Sequence, residues 1–135
     1  VSPYRIILAD DQPEFRQLLK RVLVSNREMQ VVGEVDDGHA LLSLLHRSLV
    51  APDLVIMDVS MPKLPGIAAA REVKGRYPGI KVLILTIHKE LRYVNEAFTA
   101  GASGYLNKDE AESELLKAID VIRQGQIYKP APVAE

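Results

Sequence analysis

Five times along this chain a short apolar run gives way to a stretch with helical spacing, and no other pattern competes with that alternation. The runs are YRIILA (4–9), QVVGEV (30–35), LVIMD (54–58), KVLILT (81–86) and SGYLNK (103–108). After the first, Phe15, Leu18, Leu19, Val22 and Leu23 recur at helical intervals and form one face of a helix over 13–24. A second helix from Gly38 carries Leu41, Leu42, Leu45 and Leu49 on its stripe. A third runs from Gly66 towards Tyr77 and is stopped by Pro78-Gly79. Leu91, Val94 and Phe98 mark a thinner fourth helix ending at Gly101, and Leu115, Ala118, Ile119 and Ile122 a fifth closed by Gly125. Strand–helix repetition of this kind implies an α/β fold, a parallel sheet covered by helices on both faces.

The strand order is readable as well. The first, third and fourth runs are apolar throughout, as strands buried on both faces should be. The second carries Gln30, Gly33 and Glu34, and the fifth is short, so both suit edges. Order 2-1-3-4-5, the flavodoxin-like (βα)5 doubly wound sheet, satisfies these constraints. The chain of 135 residues suffices for one domain with a core and not for two. The unit is expected to span 1–126, with YKPAPVAE inside a linker-like tail over 127–135 where period is lost. A start at Val1 rather than Met leads to the expectation of a piece cut from a longer protein.

Composition removes whole classes of function. With 17 basic and 18 acidic side chains the net charge is −1, so no basic field for nucleic acid exists. No apolar run approaches the roughly 18 residues of a membrane span, and none reads as a signal peptide. Zero cysteines exclude disulfides and thiolate metal sites, which fits a cytoplasmic protein.

The chemistry lies where the strands end. In such sheets ligands bind outside the carboxyl ends, at the point where the order reverses between the first and third strands. The first strand ends in Asp10-Asp11, the third in Asp58, the fourth in Thr86, and the fifth reaches Lys108. Neighbouring carboxylates repel by roughly 4 kcal/mol per pair at about 4 Å and an effective dielectric near 20. Lys108 offsets part of this, and an all-oxygen ligand set without His or Cys suits Mg²⁺. A dication beside an aspartate suits phosphoryl transfer, with Asp58 as the nucleophile that becomes an aspartyl phosphate while Thr86 and Lys108 hold the phosphoryl oxygens.

LADDQP, the strand-ending Asp58 with MDVSMPKLPG, LTIH, and GASGYLNK resemble the receiver domain of bacterial two-component response regulators over nearly the whole chain. The resemblance implies that Asp58 accepts a phosphoryl group from a phosphohistidine on a sensor histidine kinase. It implies Mg²⁺ bound by Asp11, Asp58 and the backbone carbonyl of Ser60, with Asp10 acting through water. Thr86 and Lys108 would contact the phosphoryl group, and Tyr105 would be the switch aromatic, able to rotate inward. Asp109 departs from the proline often found after the lysine. Lys-Asp here, with DVSMP and IRQGQIY, is similar to the NarL/LuxR-type receivers that precede a helix-turn-helix DNA-binding domain. DNA would then be reached only through an effector domain absent from these 135 residues, and a second copy of the chain is a candidate partner.

Each residue has a plainer role to set beside this. Singly, Asp58 serves equally well as a strand-closing Asx-turn residue, and Asp10-Asp11 as caps for the helix opening at Pro13. Thr86 reads as strand filler, Lys108 as a solvated charge and Tyr105 as edge packing. It is their joint placement at matching strand ends that favours the functional reading. His39, His46 and His88 lack metal-ligand spacing and read as surface or helix positions, with His88 near the mouth of the site. Among rival functions, a haloacid-dehalogenase-like phosphatase needs an acid two residues after the nucleophile, where Ser60 stands. A flavin phosphate would be repelled by DDQPEF, which has no Gly-rich cradle. A stand-alone receiver acting through protein–protein contacts is the remaining alternative.

Overall fold

The computed structural model describes residues 3–130. Parallel strands β1 (Tyr4–Ala9), β2 (Met29–Val35), β3 (Leu54–Met57), β4 (Lys81–Thr86) and β5 (Gly104–Asn107) alternate with helices α1 (Pro13–Val24), α2 (Gly38–Arg47), α3 (Gly66–Arg76), α4 (Leu91–Thr99) and α5 (Ala111–Arg123). The sheet order is β2-β1-β3-β4-β5, as the apolar content of the runs predicts.

The reason β1, β3 and β4 are apolar without a break lies in the two layers they separate. Ile7, Ala9, Val55, Met57, Val82 and Ile84 point into a core closed by α2, α3 and α4. Their neighbours Ile6, Leu8, Leu54, Ile56, Leu83 and Leu85 point the other way, onto α1 and α5. Successive side chains alternate faces, so a strand covered twice has no polar position to spare.

Local chemistry sets the ends of the helices. Pro13 opens α1, where its missing N–H costs nothing. Asp37 caps α2 by accepting from the Ala40 N–H at 2.7 Å, and that bond holds its carboxyl below the usual range. Gly101 and Gly125, with φ of 103° and 82°, close α4 and α5 in the left-handed conformation.

Beyond one-residue trims at the ends of β3 and β5, three details differ from the sequence-based expectations. Helix α2 stops at Arg47, because the Ser48 hydroxyl turns back to the Leu44 carbonyl at 2.5 Å and its N–H to that of Leu45. Leu49 therefore leaves the apolar stripe and is fully exposed. Strand β2 starts one residue early and shifts register against β1 between Ile6 and Ile7, so that Val32 is a bulged extra residue. At the other edge, the tail is not free of the domain from 127 onward. Tyr128 accepts from the Tyr105 N–H and donates to the Ser103 carbonyl, each at 3.0 Å, covering the outer side of β5. A one-residue bridge has no period to read. The rest of the tail, 131–135, lies outside the described residues.

Candidate functional site

Asp58 lies one residue beyond β3, with its N–H on the Ala9 carbonyl at 3.0 Å. That bond continues the ladder by one step and delivers the carboxylate to the mouth of the core rather than into it. The loop that follows folds back sharply, and the Gly66 N–H meets the Val59 carbonyl at 3.1 Å. A Cβ on Gly66 would collide with the Asp58 carbonyl, so only glycine lets α3 start this close to the site. Lys63 takes the left-handed conformation in this loop, with φ of 67°.

Around that point the fold gathers the predicted residues. Asp10, Asp58 and Thr86 are buried polar groups at the ends of β1, β3 and β4, while Asp11 is exposed. One carboxylate oxygen from each of Asp10, Asp11 and Asp58 lies within 4.8 Å of the others. Lys108, which opens a 3-10 turn after β5, projects its ammonium into the group, 2.7 Å from Asp10 Oδ2 and 3.3 Å from Asp58 Oδ2. Burial pushes the Asp10 carboxyl above its ordinary value, against the Lys108 hydrogen bond and the Gln12 N–H that favour its charge. One ammonium facing three acids leaves an excess of negative charge. A set of hard oxygen donors with that excess fits a small divalent cation such as Mg²⁺.

The mouth of the site is closed from the β4 side. The His88 N–H reaches Thr86 Oγ1 at 3.3 Å, and His88 Nε2 lies 3.3 Å from Ser60 Oγ. The His88 ring stacks on Tyr93 with centroids 4.5 Å apart. Tyr105, expected to turn inward on signalling, already points inward here, buried with its hydroxyl donating to the His88 carbonyl at 2.7 Å. Burial pushes that hydroxyl's pKa far up. Asp109 uses the N–H that a proline would lack, bonding Asn107 Oδ1 at 3.1 Å, and its carboxylate meets Lys89 at 3.0 Å. His39 and His46 sit exposed on α2, away from the acids.

Residues 6–120 match the family model of the response regulator receiver domain. The chain belongs to that family. It is 39% identical over 124 residues to the transcriptional regulatory protein DegU of Brevibacillus brevis, covering 92% of this chain and 52% of that protein. A receiver domain structure of the NarL response regulator from Mycobacterium tuberculosis superposes with a TM-score of 0.85 at 34% identity, covering 93% of this chain and all of that one. A LuxR-family two-component response regulator from Aurantimonas sp. SI85-9A1 gives a TM-score of 0.87 at 34% identity, covering 94% of this chain and 89% of that one. The chain thus spans about half the length of the curated DegU relative, and its relatives are signalling proteins of the NarL/LuxR type rather than turnover enzymes.

Two residues of the receiver site were missed by sequence reasoning. Gln12 Oε1 accepts from Lys108 Nζ at 3.0 Å, and the Phe15 ring lies 4.4 Å below the same nitrogen. Gln12 reads as a helix-opening residue and Phe15 as part of the α1 stripe, so only the weak capping chemistry of Gln12 could have hinted at another use. Among the described residues, no helix is long and apolar enough to cross a membrane.

Proposed function

We propose that this receiver takes a phosphoryl group from a phosphohistidine of a sensor histidine kinase onto Asp58. The P–N bond breaks as a P–O bond to the Asp58 carboxylate forms, and the imidazole leaves with its electron pair. The observation that carries the reading is the buried Asp58, 3.3 Å from Lys108 and next to two further acids, where the strand order reverses. Asp11, Asp58 and the Ser60 carbonyl would hold Mg²⁺, with Asp10 reaching it through water. Bound there, the ion would supply charge neutralisation for the incoming phosphoryl oxygens. Lys108 and the Thr86 hydroxyl would bind the phosphoryl oxygens directly.

The new charge would be read through β4 and β5. A phosphoryl group adds about −1.5 to −2 charges and three strong acceptors, enough to draw in Thr86 and Lys108. Thr86 also holds the His88 N–H, and the His88 carbonyl holds Tyr105, so one hydroxyl moving biases the α4–β5 face. In the full protein this cytoplasmic receiver would switch a helix-turn-helix effector or a homodimer contact. The DNA contacts would belong to the effector, in keeping with a net charge of −1 here.

Mass spectrometry after acetyl phosphate and Mg²⁺ tests the reading. The wild type should gain about 80 Da, the mass of one phosphoryl group, and Asp58→Asn should gain nothing. A retained gain in Asp58→Asn moves the acceptor elsewhere.

A further inference from the structure

An ammonium has three N–H donors, and three oxygens surround that of Lys108: Asp10 Oδ2 at 2.7 Å, Gln12 Oε1 at 3.0 Å and Asp58 Oδ2 at 3.3 Å. The Phe15 ring supplies a fourth neighbour at 4.4 Å. Two of the four are acids whose electrostatic surroundings would change during signalling, since Asp58 would become an acyl phosphate and Asp10 would face the cation. The other two are neutral, and both come from the start of α1. Gln12 stands at the N-cap of that helix yet makes no side-chain cap bond, its amide being used on Lys108 instead.

The distances show why neutral supports matter. The shortest contact of the ammonium is to Asp10 and the longest of the three to Asp58. Left to the acids, it would shift towards Asp10 and away from the acceptor. The Lys108 side chain is only 8% exposed, so the negative face of the Phe15 ring acts on it with little screening from water. We infer that Gln12 and Phe15 are positioning residues that hold the Lys108 ammonium beside Asp58 whatever the charge on the two acids. The inference rests on Asp58 being the phosphoacceptor.

The test joins a spectroscopic signature to a rate. In the labelled receiver, the Lys108 methylene protons next to Nζ should show an upfield ring-current shift that Phe15→Leu removes and Phe15→Tyr keeps. Phosphorylation by acetyl phosphate should slow roughly threefold to thirtyfold in Phe15→Leu, the rate equivalent of one cation–π contact, and recover in Phe15→Tyr. Gln12→Ala, at an exposed position, should slow the reaction in the same direction and serves if Phe15→Leu folds poorly. Mg²⁺ affinity should stay unchanged in all three, because the metal-facing acids are intact. A wild-type rate in both Phe15→Leu and Gln12→Ala, an equal loss in Phe15→Tyr, or an Mg²⁺ affinity falling with the rate overturns the inference. A wild type that phosphorylates but shows no ring-current shift overturns it alone. A wild type that is not phosphorylated overturns the Asp58 reading, while the shift still reports whether Lys108 is held.

Discussion

The two ends of the same sheet are built on opposite principles. At the amino end, the acids Asp53 and Glu28 are each matched singly and in water, although the Arg5 Nε is buried without a hydrogen-bond partner. The Asp53 carboxylate takes the Arg5 N–H at 2.8 Å, the Asp53 N–H returns to the Arg5 carbonyl at 2.8 Å, and the Asp53 carbonyl takes the Lys81 N–H at 3.0 Å. Nearby, Arg123 pairs with Glu28 at 3.2 Å. At the carboxyl end, Asp10, Asp58 and Thr86 are buried, acids outnumber the cation, and Asp10 is held where burial disfavours its charge. The amino end holds its acids in satisfied hydrogen bonds, and the carboxyl end keeps an excess of negative charge that a cation could relieve. A carboxyl whose charge burial disfavours, set beside two further acids in one crevice, is the physical mark of a functional site.

The largest expected effect breaks the carboxyl end through its backbone. Gly66→Ala puts a methyl against the Asp58 carbonyl and should cost about 3 kcal/mol or more, the upper range for overpacking. Gly79, before β4 at the amino end, has nothing within 4 Å of an added Cβ, so Gly79→Ala should change stability by less than about 0.5 kcal/mol. Urea midpoints of the two variants decide it, and equal losses would erase the contrast.

Metal affinity comes next. Asp11→Ala should weaken Mg²⁺ binding by more than roughly tenfold and Asp10→Ala by less, as expected for a direct ligand against one acting through water. Asp53→Ala should leave it unchanged. Titration of the three proteins sharpens the comparison, and equal affinities would remove the metal from the carboxyl end.

Asp53→Ala should instead cost about 1 kcal/mol of stability by leaving the Arg5 N–H to water. The smallest effect has the opposite sign. Because the folded fold raises the Asp10 pKa, the stability this carboxyl contributes is present at low pH and lost as pH rises through the raised value. Asp10→Asn carries no such loss, so its melting temperature should exceed that of the wild type at neutral pH, with the gain shrinking as the medium is acidified. A gain that grows on acidification would reverse the assignment of burial as the dominant influence on Asp10.

Much of this was legible along the chain. LVIM followed by an acid fixes both a doubly covered strand and a carboxylate at its exit, because burial on two faces leaves no polar position before the end. The same logic places Asp10 after YRIILA and Thr86 at the end of KVLILT. Tyr105 was legible as a residue of β5 but not in its inward position, which depends on a hydroxyl bond to a carbonyl 17 positions away. Tyr128 was read as linker for a similar reason, since its partners lie on β5 and α5.

Sequence alone determined which side chains stand at the carboxyl rim, because alternation with period two and the order of apolar runs are properties of neighbours in the chain. Only the tertiary structure decided how they are shared: that Lys108 lies nearer Asp10 than Asp58, and that Gln12, 96 residues away, and Phe15 flank its ammonium. Those distances are set by where α1 comes to rest on α5 and α5 on β5, and no local pattern encodes that separation.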